Sequence, residues 1–165
     1  VSREWQRITD QEKALISPFL KDRPVKIASI ARALGLEVKS ATLRPRISGQ
    51  IQLSETSASG YRIRINRHEA ATRQRFTIAH EIAHYLLHRD HIGDGIEDSI
   101  LYRSTLSDQR EAEANRLGAH LLMPEKSVIH AMRDLGGKAT PRVAALLAEE
   151  FNVSEAAMSI RLGIS

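Results

Sequence analysis

Five consecutive residues, His80-Glu81-Ile82-Ala83-His84, hold two imidazoles four positions apart with a carboxylate directly after the first. On a helix four residues make about one turn, so both rings stand on one face and can address one ion. Neutral imidazole at ~2.0–2.1 Å suits Zn²⁺, and Glu81 projects beside the pair, placed to take a proton from water at the ion. The flanking Phe76, Ile78, Ala79, Ile82, Ala83, Leu86 and Leu87 give this helix extensive apolar surface. The two histidines are therefore expected in the interior, where they need polar partners. A five-residue pattern with two free positions also arises by chance, so the remaining ligands carry much of the argument.

His88 lies eight residues after His80, about 12 Å along a helix axis. Ligand nitrogens must sit ~2 Å from the metal, so a straight helix cannot bring all three histidines to one ion. His88 is expected at the helix end or hydrogen-bonded behind a ligand. In the pattern H-E-x-x-H-x-x-G-x-x-H a glycine turns the chain back to deliver a third ligand. Here Leu87 stands at the glycine position and Asp90 at the last, which leaves Asp90 a minor candidate.

A better source lies downstream, in Arg110-Glu-Ala-Glu-Ala-Asn-Arg116, which continues as LGAHLLMP. A glutamate on a second helix completes a His₂Glu shell around catalytic zinc. Glu111 and Glu113 are about 200° apart around a helix, so one of them is expected to face inward. Glu111 is the choice, because Asn115 falls one turn beyond it as a hydrogen-bond partner behind the ligand. Gly118, near the same stripe, lets this helix approach another backbone closely.

The elements that must hold these residues are legible in outline. Thr9-x-x-Glu12 has the form of a capping box and starts a helix that Pro18 disturbs. Residues 24–35 follow helical spacing to a stop at Gly35. LEVKSATL, ISGQIQLS and YRIRIN alternate apolar and polar residues, the period of half-buried strands, and Ser57 to Gly60 make a hairpin turn between the last two. A helix is predicted from about Ala70 to His88, then a loop through HRDHIGDG. Ser107 caps a helix running to Met123, and further helices start at Thr140-Pro141 and Ser154-Glu155. The prediction is an α+β fold in one domain, with a small antiparallel or mixed sheet against a zincin-type active-site helix. Residues 1–66 would supply the first helices and the sheet, 67–124 the catalytic helices, and 125–165 a helical tail.

Composition bounds the reading. The 165 residues are 42% hydrophobic and 27% charged, an ordinary balance for a globular domain. The sequence has no cysteine, which excludes disulfides and thiolate ligands and suits a reducing cytoplasm. The opening VSREWQRITDQEK is too polar for a secretory signal, and no apolar run approaches the ~18 residues of a membrane span. The net charge of +4 rests largely on scattered arginines, including Arg62, Arg64, Arg67, Arg73 and Arg75, and reads as a solvated basic surface more readily than as a nucleic-acid site.

Taken together, Arg75-Phe-Thr-Ile-Ala-His-Glu81, His84 with Leu86-Leu87-His88, Glu111-x-x-Ala114-Asn115 and Leu121-Leu122-Met123-Pro124 resemble the ImmA/IrrE family of metallopeptidases. The tail from Val143 to Leu162 is similar too, so the resemblance covers most of the chain. Ala83 stands where glycine is common, and Leu117-Gly-Ala-His120 replaces a more usual Phe-Ala-Ala-Glu; neither touches a proposed ligand. The resemblance implies a cytoplasmic zinc protease with one Zn²⁺ per chain, held by His80, His84 and Glu111, and Glu81 as the general base. It further implies limited cleavage of a partner protein, an Xre-type repressor, relieving repression under stress, in some members within toxin–antitoxin-like pairs. Tyr61, Tyr102, His88 and His120 are open choices for stabilising the oxyanion.

A rival reading comes from Arg142 to Ile164. It resembles a helix-turn-helix, a break at Phe151-Asn152-Val153 separating two helices, and so raises DNA binding. Its second helix, SEAAMSIRL, carries only Arg161 as a cation and Glu155 at its start. A metal-free domain that merely binds a repressor is a third reading.

Overall fold

The computed structural model describes residues 2–98 and 106–164. The chain folds as a mixed α+β structure with a four-stranded sheet and a helical C-terminal part. Helix α1 (Arg3–Arg7) and α2 (Asp10–Ile16) open it. The capping box at α2 forms in full, Glu12 N–H donating to Thr9 Oγ1 at 3.0 Å and Thr9 N–H to Glu12 Oε1 at 2.9 Å. Pro18 falls in a 3₁₀ turn, Ser17–Phe19, that ends the helical run. Helix α3 (Ile27–Ala33) is shorter than the 24–35 expected, because Pro24, Val25 and Lys26 precede it and Val25 is buried outside the helix.

The strands are β1 (Glu37–Ala41), β2 (Gly49–Leu53), β3 (Tyr61–Asn66) and β4 (Gly95–Asp98), in the order β1-β3-β2-β4. The hairpin between β2 and β3 is antiparallel as predicted, while β1 runs parallel to β3 and β4 antiparallel to β2. Val38, Ile63, Ile51 and Ile96 stand directly opposite one another across the four strands, a single apolar row on one face. The other face carries Gln50, Arg64 and Glu97, with Arg64 donating to Gln50 at 3.1 Å, so it is the wet face and takes up part of the basic excess.

The strand β4 corrects the sequence reading, which takes residues 88–95 as a loop and expects no strand after it. Four residues with one apolar member, Ile96, are too few to show a period, and only pairing with β2 defines them. Helix α4 (Ala71–Leu87) lies on the apolar face of the sheet. Its N-terminal half is tied by Arg75 to the segment before α3, through the Val25 carbonyl at 3.0 Å, and to the C-terminal part, through the Asn152 carbonyl at 3.1 Å.

Helix α5 (Asp108–Leu122), capped by Ser107 as predicted, packs along α4. Helices α6 (Glu125–Asp134), α7 (Pro141–Phe151) and α8 (Glu155–Leu162) close the other side of the core through Val143, Leu147, Phe151 and Met158. The starts at Thr140 and Ser154 are side-chain caps as expected. The helix-turn-helix reading loses its cation: Arg161 turns inward and donates to the Met123 carbonyl at 2.9 Å, capping α5 instead of facing a duplex. Among the described residues no helix is long and apolar enough to cross a membrane.

Candidate metal centre

Two glycines set how closely the elements around His80 approach. On α5, a Cβ at Gly118 would stand 3.3 Å from the Ala79 carbonyl carbon and the His80 nitrogen, so the missing side chain lets α5 lie against the backbone of α4. On β2, a Cβ at Gly49 would stand 2.4 Å from Thr77 Cγ2 and 3.4 Å from Glu81 Oε2. In the sheet, Gly49 lies between Ile65 of β3 and Asp98 of β4, on the face that α4 covers. The gap it leaves is filled by Thr77 and Glu81 from the helix above.

Into this space project the residues picked out from the sequence. His80 Nε2 and His84 Nε2 are 3.0 Å apart. Glu111 reaches both, with Oε1 at 3.0 Å from His80 Nε2 and Oε2 at 3.2 Å from His84 Nε2. Glu81 is fully buried, and neither of its carboxyl oxygens has a hydrogen-bond partner among the described residues. One residue went unseen in the sequence. Asp98, at the end of β4, sets Oδ1 3.6 Å from His80 Nε2 and Oδ2 3.6 Å from His84 Nε2. Ligand atoms of His80, Glu81, His84 and Asp98 all lie within 4.8 Å of one another. The signal for Asp98 was its two-residue step from Ile96, which puts both on one face of a strand, but the strand itself was not legible.

The charges respond to this crowding. Burial works against a proton on His80, yet pairing with Asp98 and Glu111 outweighs it and raises the ring to about 9. His84 is raised for the same reasons. Burial lifts the Glu81 carboxyl well above the ordinary range, and the neighbouring Asp98 and Glu111 add to the effect. Burial opposes ionisation of Glu111 and Asp98 as well, but there the histidines prevail and both are held low, Glu111 to about 2. Protons thus occupy nitrogens that face two carboxylates, in the position a cation would take.

Behind His84 runs a second line of groups. His84 Nδ1 lies 3.0 Å from His88 Nδ1, and His88 Nε2 lies 2.9 Å from Glu113 Oε1, while Arg7 of α1 pairs with the other oxygen of Glu113. Burial keeps His88 below its ordinary value, with Glu113 only partly offsetting it, so the ring is neutral. Next to a carboxylate its Nε2 must carry the hydrogen, which leaves His88 Nδ1 as an acceptor for His84 Nδ1–H. With His84 Nδ1–H fixed in this way, Nε2 is the atom that faces Glu111, through its proton here and through its lone pair toward a cation that replaces the proton.

Both glutamates of α5 therefore engage α4, correcting the expectation that only one would. The buried stripe Ala114, Leu117, Gly118 and Leu121 passes between them, with Glu111 on one flank and Glu113 on the other. Asn115 does not join the site: it is exposed and makes no hydrogen bond to Glu111. A four-residue step advances about 40° past a full turn, and here that drift carries Asn115 away from the stripe. Asp90 is exposed in the 3₁₀ turn Arg89–His91. Tyr61 packs edge-on against Tyr85 at 5.8 Å, at the end of β3 remote from Gly49. His120 packs at a tilt against Trp5, ring centres 5.1 Å apart, where burial and Arg161 lower it to about 4. Tyr102 lies outside the described residues.

The donor set fits a divalent cation. A tetrahedral ion with ~2.0–2.1 Å bonds holds its ligand atoms about 3.3–3.4 Å apart. The separations among the two Nε2 atoms and the carboxylates run from 3.0 to 3.6 Å. Residues 33–163 match the IrrE N-terminal-like domain of the Peptidase M78 family. The chain belongs to that family. Membership carries a metallopeptidase role, with a protein as substrate. None of the curated proteins matches the chain.

Proposed function

We propose that this protein is a cytoplasmic zinc-dependent endopeptidase that makes limited cuts in a partner protein, an Xre-type repressor, and so relieves repression. The supporting observation is the convergence of His80 Nε2, His84 Nε2 and the Glu111 carboxylate within 3.0–3.2 Å, with a buried Glu81 beside them. His80, His84 and Glu111 would hold the ion. Bound there, Zn²⁺ supplies Lewis acidity toward a carbonyl and a water molecule.

Glu81 does the proton work in this reading. Its carboxyl is buried beneath Gly49, and neither oxygen has a hydrogen-bond partner among the described residues. It accepts a proton from the attacking water and returns it to the leaving amine. The chain Arg7, Glu113, His88 and His84 keeps the His84 ring in one orientation throughout. The absence of cysteine accords with a reducing compartment.

The test is incubation of zinc-loaded protein with an Xre-type repressor from the same genome, comparing the wild type with Glu81→Gln. Discrete fragments from the wild type and none from the variant are expected. Equal cleavage by both would sink the assignment of Glu81. An intact repressor combined with a salt-dependent shift of duplex DNA would replace the proposal with DNA binding.

A further inference from the structure

The carboxylate of Asp98 has no role in the reading given so far, and its placement is specific. Strand register puts it on the covered face of the sheet, opposite Gly49, at the inner end of the edge strand β4. Ser48 N–H bonds the Asp98 carbonyl at 2.8 Å, which anchors the backbone there. The side chain straddles the two Nε2 atoms at equal 3.6 Å distances. Oδ2 is buried with no hydrogen-bond partner among the described residues.

A carboxylate that orients a metal-bound histidine meets the ring nitrogen turned away from the metal. Glu113 acts in that way, through His88. Asp98 instead faces the same Nε2 atoms as Glu111, the atoms directed at the ion. Its 3.6 Å separations, with the 3.0–3.2 Å of the other three groups, bracket the edge of a tetrahedron about 3.3–3.4 Å on a side. Two carboxylates would also neutralise a doubly charged ion, and four protein ligands are the mark of a closed site, whereas a catalytic site keeps one position open.

We propose that Asp98 is a fourth, displaceable ligand that closes the open position of the metal in the resting enzyme, so that the peptidase is held inactive until this side chain turns away. Opening is a ligand exchange: the bond from the Asp98 oxygen to the metal breaks, a water oxygen takes its place, and no electron is transferred. The departing carboxylate returns one unit of positive charge to the metal, which restores its pull on water. The inference rests on the metallopeptidase reading and on His80, His84 and Glu111 as the other ligands.

The experiment loads the full chain with Co²⁺, whose visible bands report coordination, and titrates acetohydroxamate as a probe of the open position. It compares the wild type, Asp98→Ala and, as the variant that keeps the side-chain shape, Asp98→Asn. In the variants the Co²⁺ bands should change, metal affinity should fall about tenfold, and acetohydroxamate should bind at least tenfold more tightly than in the wild type. Peptide turnover should rise in parallel. Identical bands and identical acetohydroxamate affinity in wild type and variants would overturn the proposal while leaving the metallopeptidase reading intact. Complete loss of Co²⁺ from Asp98→Asn would also overturn it, by making Asp98 an indispensable ligand. A wild type that takes up no Co²⁺ would instead bring down the metallopeptidase reading, and this inference with it.

Discussion

Glu81→Gln separates catalysis from stability at one residue. The wild-type carboxyl is fully buried without a hydrogen-bond partner among the described residues, and burial with the neighbouring Asp98 and Glu111 raises its pKa well above the ordinary 4.5. In the metal-free protein the folded state therefore binds a proton that the unfolded chain releases, so wild-type stability falls as pH rises above that value. That loss is a penalty the wild type carries at pH 7. Glutamine carries no such penalty, and its amide can donate to the orphaned Oδ2 of Asp98, a charge-assisted bond of about 1.5–3 kcal/mol. From that bond alone the metal-free variant should be more stable than the wild type at pH 7 by about 1.5–3 kcal/mol. For a chain of this length that raises Tm by roughly 3–12 °C. The gain from the lost penalty should shrink to a few tenths of a kcal/mol near pH 4.5, where the unfolded carboxyl is itself half protonated. Peptidase turnover should fall by ~10²–10⁴, the usual contribution of a general base, with one metal retained. Calorimetry in chelator at both pH values, beside a turnover assay on loaded protein, measures all three. A variant less stable than the wild type at pH 7 would refute the account of Glu81 as a carboxyl held against its preference.

Three further outcomes follow from the same geometry. Glu111→Ala should weaken zinc on the order of a thousandfold, about a third of the ~10–16 kcal/mol a bound zinc supplies, whereas Glu113→Ala, acting through His88, should cost only ~10–100-fold. Competition with a chromophoric chelator ranks the two, and the reverse order would exchange their roles. Gly118→Ala should destabilise the protein by about 1–3 kcal/mol and loosen metal binding, because its Cβ meets backbone atoms of Ala79 and His80 at 3.3 Å; unchanged denaturant midpoint and affinity would show that α5 can retreat freely. Zinc must displace the proton that His80 holds up to about 9, so apparent affinity should climb at least tenfold per pH unit from pH 7 toward 9. A flat profile in a non-coordinating buffer would contradict that protonation.

The local parts of this protein can be read from the chain because they depend on spacing along one element. Helical rise alone separates His80 and His84 from His88, and the caps at Thr9, Ser107, Thr140 and Ser154 are where their side chains imply. The alternation in β2 and β3 likewise identifies a hairpin with one buried face. Relations between elements were less accessible. Five-residue α1 and four-residue β4 are too short to show a period, yet α1 supplies Arg7 to Glu113 and β4 supplies Asp98 to the histidines. Whether Glu111, Glu113 or Asn115 faces α4 depends on where the close approach at Gly118 sets the rotation of α5, which helical periodicity leaves free within tens of degrees. The sequence by itself determined a histidine pair on a buried helix. Only tertiary packing decided which carboxylates meet it, because those contacts join residues up to thirty-one positions apart, through a register and a helix rotation that no single element encodes.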